Sequence, residues 1–116
     1  MPDIPEALRS RYIDVLNMPW EKLGEKSYRK LLYIEDATGR QTWLSRIEPG
    51  GVIPFHEHPD LEQTFVLEGR LVDDEGECTA GNFVWRPKGS RHTARAPEGC
   101  LFIAFFGKMS KRLPEK

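Results

Sequence analysis

Short runs of β-branched and aromatic residues, broken by glycine and proline, recur along most of this chain. The runs at 28–34, 42–47, 63–67, 83–85 and 101–106 are rich in Val, Ile, Thr, Phe, Trp and Tyr, a composition that suits strands. Between them lie Pro49-Gly50-Gly51, Glu68-Gly69, Asp73-Asp74-Glu75-Gly76, Ala80-Gly81, Pro87-Lys88-Gly89 and Pro97-Glu98-Gly99, each a turn signal. Runs this short leave little room for the crossover helices of a parallel sheet, so the pattern predicts an all-β fold, an antiparallel sandwich or barrel. Only the N-terminal stretch reads as helix, with Asp3 placed to cap a turn or two from Pro5 through Ala7, Leu8 and Arg11 before Pro19-Trp20 ends the pattern. The expected organisation is an arm with a short helix over 1–26, a barrel over 27–107 and a polar, solvated tail over 108–116.

At 116 residues and 39% hydrophobic content the chain can build one core. Lys and Arg number 17 against 18 Asp and Glu, so no overall field draws it to nucleic acid or to an anionic membrane. The stretch 57–77 is acidic, with Arg70 its one Lys or Arg, and its turn 73–77 reads as solvated. The apolar run 100–106 is far shorter than the ~20 residues that span a bilayer, and the Met-Pro-Asp start has neither the basic nor the apolar region of an export signal. The expectation is a soluble, cytoplasmic protein without nucleic-acid or membrane partners, with Cys78 and Cys100 as free thiols.

The chemistry is concentrated in three histidines. His56 and His58 are two apart, so on an extended strand they project to one side, and Glu62 follows at the head of the next apolar run. His92 comes after the turn Pro87-Lys88-Gly89. A His-x-His pair alone is often no more than a feature of a surface strand. Here, however, Gly50 and Gly69 bracket His56, His58 and Glu62, while Gly81, Pro87 and Gly89 precede His92, which sets both groups on hairpins fixed by residues with special backbone preferences.

These residues carry a resemblance. Gly50-x5-His56-x-His58-x3-Glu62-x6-Gly69 and Gly81-x5-Pro87-x-Gly89-x2-His92 resemble the two cupin motifs, with Ala96 standing where the second usually ends in Asn. The phrases Val66-Leu67-Glu68-Gly69, Asp74-Glu75-Gly76, Gly89-Ser90-Arg91-His92-Thr93 and Glu98-Gly99-Cys100-Leu101 are similar to the ChrR-type cupin group, which also resembles acetylacetone-cleaving dioxygenases. The resemblance implies a small antiparallel barrel, a jelly-roll-like double-stranded β-helix, with His56, His58, Glu62 and His92 around one divalent metal in its mouth. Three imidazoles and a carboxylate suit Zn or Fe first, with Mn, Ni and Cu also compatible. In the dioxygenases three histidines hold the metal, which would leave Glu62 outside the coordination sphere.

Two functions follow from the resemblance. One is dioxygenase-like oxidation of a small chelating compound; the other is a zinc-holding sensor or binding module without turnover. Sigma-factor binding is not implied, because in ChrR it resides in a separate N-terminal zinc domain and no histidine precedes His56 here. Thr64 and Val66 share the strand parity of Glu62 and are the expected cavity lining. Trp43, Phe65, Phe83, Trp85, Phe102 and Phe106 read as core or interface ahead of cavity wall, Arg46, Arg91 and Arg95 as solvated, and Cys100 as a small buried hydrophobe. Strand aromatics and an arm on so small a barrel predict a homodimer, with the run 28–34 as the edge strand that pairs.

Overall fold

The computed structural model describes residues 3–114. Ten strands run β1 (Glu21–Gly24), β2 (Ser27–Glu35), β3 (Arg40–Ile47), β4 (Gly51–Glu57), β5 (Glu62–Val72), β6 (Glu77–Thr79), β7 (Phe83–Arg86), β8 (Arg91–Ala96), β9 (Cys100–Phe106) and β10 (Lys111–Arg112). They form one curled antiparallel sheet in the order β1-β2-β3-β9-β5-β8-β4-β10, with β6 and β7 also pairing with β5. Each predicted run is found as a strand, and the all-β class holds.

Strand β5 joins the two halves of the sheet. Its first half pairs with β7 and β9 and its end with β6 and β8. Gly69, expected to close a turn, instead lies inside β5 at φ +75°. A Cβ there would run into the Gly99 carbonyl oxygen, so the chain bends and crosses Gly99 at a point only glycine can occupy. Inward side chains of both halves meet in a core of Ile47, Val66, Leu71, Phe102 and Phe106. Cys78 and Cys100 are buried free thiols in that core, and burial pushes the Cys100 thiol up to about 12, which fits an inert packing role.

Three segments differ from expectation. The arm holds two three-residue 3₁₀ turns, Glu6–Leu8 and Val15–Asn17, and the first is entered from Pro5 with no side-chain cap from Asp3. Neither turn buries a residue, and without a packed face so short a segment does not repay helix nucleation. Within the same arm, β1 pairs with the first half of β2, so the strand expected at the sheet edge is open only beyond Arg29. The tail is not simply solvated: β10 pairs with His56 and Glu57, Leu113 N–H donates to Phe55 O at 2.9 Å, and Met109 packs against the core.

Candidate metal centre

Strands β4 and β8 are neighbours in a register that sets His56 opposite His92. Pro54 interrupts that ladder, since it has no N–H to give, and its carbonyl accepts the His56 Nδ1–H at 2.7 Å. His58 lies just past the end of β4. Its backbone is clamped on both sides by the turn before β8, with His58 N–H donating to Ser90 O at 2.9 Å and Gly89 N–H donating to His58 O at 2.7 Å. Gly89 takes φ +90° to make that approach. The glycine-proline spacing of the second motif thus serves to pin the first.

The imidazoles of His56, His58 and His92 are buried, and each offers a nitrogen within 4.8 Å of the others. His58 Nε2 and His92 Nε2 stand 3.0 Å apart, which is also the spacing of two nitrogens bound at right angles to one ion at ~2.1 Å. His92 Nδ1–H donates to Asp73 Oδ2 at 3.1 Å. The outer nitrogens of His56 and His92 are therefore tied to oxygen acceptors, leaving their Nε2 lone pairs turned inward as a metal site requires. Ser110 Oγ, in the tail, lies 3.4 Å from His58 Nδ1.

Glu62 is outside this tight cluster but next to it, its Oε1 3.7 Å from His58 Nε2 and 3.7 Å from Arg86 Nε. Arg86 Nη1 also bonds Asp73 Oδ2 at 2.7 Å, so one buried guanidinium serves both carboxylates. Sequence reasoning missed this pair. The turn pattern at 73–77 places Asp73 in solvent, yet its side chain is 5% exposed and points inward just past the end of β5. Arg86 had a legible signal, because it shares the inward parity of Val84 in β7. Arg91 pairs with Glu57 at the surface, and Arg46 stacks on Trp20 and Tyr28.

Beside the cluster opens a cavity of about 870 Å³ with His56 and Glu62 on its wall, together with Trp43, Phe102, Phe106 and Met109. Thr64 and Val66 do face inward but are buried to 3% and 0% exposure and are not part of that wall. Phe65, Phe83 and Trp85 lie on the outer face and are exposed.

Burial, more than any single neighbour, sets the proton affinities here. It depresses His56, and with repulsion from the other cations it takes His92 down to about 4 and His58 to about 3. Burial lifts Glu62 up to about 7 against the pull of Arg86. It also works to lift Asp73, but the Glu75 N–H, Arg86 and His92 outweigh it and hold that carboxyl below its usual range. At neutral pH the imidazoles are neutral, the form that binds metal.

Without an ion this arrangement is acid-sensitive. Between the ordinary histidine value of 6.5 and the depressed ones the unfolded chain binds more protons, so stability falls as pH falls. Glu62 opposes this, favouring the fold below about 7 and losing that as pH rises, but it is one group against three. The urea midpoint of metal-free protein is expected to drop steadily below pH 6.5; a flat or rising midpoint would contradict the buried triad.

Comparison with known proteins identifies the family. No curated protein matches the sequence. Among solved structures, a candidate acetylacetone dioxygenase from Methylibium petroleiphilum PM1 superposes with a TM-score of 0.86 at 15% identity, over 97% of this chain and 86% of that one. The acetylacetone dioxygenase of Acinetobacter johnsonii gives 0.77 at 16%, over 91% and 79%. The anti-sigma factor ChrR, solved in complex with SigE from Rhodobacter sphaeroides, gives 0.70 at 26%, over 79% of this chain and 50% of that one. The family model of the ChrR cupin-like domain matches residues 9–110, and with that extent of match the chain belongs to the ChrR cupin-like family.

Proposed function

We propose that this chain holds one divalent transition metal on His56, His58 and His92, with Glu62 as the fourth donor, and uses it on a small chelating organic molecule in the adjoining cavity, in the manner of a dioxygenase. The supporting observation is the convergence of three neutral imidazoles within 4.8 Å, two of them aimed by oxygen acceptors on their outer nitrogens. Zn and Fe fit the donors best, and Mn, Ni or Cu are compatible. Such an ion, when bound, supplies Lewis-acid polarisation and, if redox-active, an electron-transfer centre.

The chain's own residues do the rest. Asp73 fixes the ring of His92, the Pro54 carbonyl fixes that of His56, and Arg86 balances the two buried carboxylates. Trp43, Phe102 and Phe106 give the cavity an apolar wall beside the donors. In this reading the protein works in the cytoplasm, with a small-molecule ligand and a second copy of itself as partners and without nucleic acid or a membrane. Its free cysteines suit that compartment, and no described helix is long and apolar enough to cross a bilayer.

A second reading, a zinc-holding sensor without turnover, draws on the position of Glu62 beside His58, because four protein donors complete a tetrahedron. Elemental analysis of protein purified without added metal, followed by dioxygen uptake with small diketones, separates the two. Iron with uptake is the expected result for the enzyme; stoichiometric zinc without uptake selects the sensor; no transition metal in stoichiometric amount overturns both. Glu62→Gln is expected to lower metal content while leaving the circular dichroism of the fold unchanged. Unchanged metal content would put Glu62 outside the coordination sphere.

A further inference from the structure

The outer face of the β2-β3-β9-β5-β7 half carries two cross-strand rows that an isolated protein would leave in water. One row runs Tyr33, Thr42, Phe105, Gln63, Trp85 and the next runs Lys30, Leu44, Ile103, Phe65, Phe83, each residue opposite its neighbour by strand register. Tyr33, Phe65, Phe83, Phe105 and Trp85 are between 39% and 61% exposed. The only charged side chain in the two rows is Lys30, and it is already covered, its Nζ on Val15 O at 2.7 Å and over the Trp20 ring. An antiparallel sheet with one solvated face ordinarily alternates apolar inward and polar outward; here both faces are apolar.

The arm presents the matching surface. Val15 and Trp20 seat its base on this same face at Lys30, but every described residue from 3 to 14 is exposed, Leu8 at 75% and Tyr12 at 94%, and Leu16 next to the base is at 91%. The arm stands off the barrel: the molecule measures 55 × 28 × 25 Å with a radius of gyration of 15.5 Å, against about 13 Å for a compact chain of this length. Its surface of 7803 Å² exceeds by about 1,300 Å² the roughly 6,500 Å² of a globular monomer of this mass, more than the roughly 800 Å² each partner buries in a standard interface.

We propose that a second copy of this chain docks on this outer face, with the arm of each copy, through Leu8, Tyr12 and Leu16, lying on the Phe65, Phe83, Trp85 and Phe105 rows of the other. The arm and the face that fits it occur once each per chain, so a two-fold exchange leaves neither uncovered and closes the assembly at two. The pairing therefore uses the outer face and the arm, where the sequence pointed to an edge strand.

Sedimentation velocity of the full chain at micromolar concentration is expected to give twice 13.4 kDa. An arm variant (Leu8→Asp, Tyr12→Asp, Leu16→Asp) and a face variant (Phe65→Lys, Phe105→Lys) are each expected to halve the mass. Mixing them is expected to restore it, because one acidic arm then meets one basic face and the other contact is wild type. A monomeric wild type, a dimer that persists in either variant, or a mixture that stays monomeric overturns the proposal. All five positions are exposed, so the circular dichroism melt should remain that of the barrel. Should either variant fail that control, Trp85→Ser, at a side chain 61% exposed, carries the same halving alone, and an unchanged mass there overturns the proposal.

Discussion

Replacing His92 with Ala is expected to empty the metal centre of purified protein and to remove the thermal stabilisation that comes with the ion. The loss of affinity should exceed the about 10- to 100-fold that changing an outer hydrogen-bond partner costs, since a donor itself is gone. The fold should survive, because the Asp73–Arg86 ion pair at 2.7 Å remains closed without the imidazole and the residue left behind is small. The expected pattern is therefore two-sided: metal content near zero, and a melting temperature equal to that of wild-type protein stripped with chelator. Protein that keeps its metal after this change would show that β8 does not supply a donor, and the centre would have to be redrawn around β4 and β5.

Arg86→Met is expected to act in the opposite way, on the fold more than on the donors. Among the described residues the guanidinium is the one cation paired with both Glu62 and Asp73, and its side chain is 10% exposed. Removing one partner of a buried ion pair costs about 3–5 kcal/mol, because a charge is left without compensation. The pH dependence identifies the cause. Arg86 holds the Glu62 carboxyl down and the three imidazoles down, so in the variant all four values rise. Glu62 then folds best protonated, with a contribution present in acid and lost as pH rises through its elevated value, while the histidines resist protonation less. On both counts the gap between variant and wild type, measured by urea unfolding on either side of the Glu62 midpoint, should narrow in acid and widen in alkali. A gap independent of pH would mean that Arg86 contributes packing alone.

The two motifs made the donors legible because each glycine and proline in them has a geometric task. Gly89 at positive φ lets the β8 turn bond both sides of His58, and Pro54 breaks the ladder where His56 needs a carbonyl; local rules of this kind can be read along a line of residues. Parity also placed Thr64 and Val66 on the inner face correctly, but not their depth, since nothing local says whether an inward position meets a cavity or another side chain. Asp73 was hidden for a different reason. The bulge between Val66 and Glu68 and the bend at Gly69 reset the alternation along β5, so counting from Glu62 loses the face before the end of the strand. The short β10 gave no signal at all, because Lys-Arg has no apolar pattern and is held by main-chain bonds to β4. The apolar outer face could not be assigned either, as β9 carries aromatic residues on both sides, Phe102 and Phe106 inward and Phe105 outward, and only the closed sheet says which side is outside.

The opposition of His56 and His92 across β4 and β8 also bears on how the protein acquires and keeps its ion. The two residues are distant in sequence and become neighbours only when a non-local pair of strands has closed, a late and slow event in the assembly of a β-sheet. An ion that needs both therefore has nothing to grip in the early collapsed chain, and its contribution falls after the rate-limiting barrier. Metal would leave the refolding rate nearly unchanged and slow unfolding instead, acting as a latch on a finished barrel rather than as its nucleus.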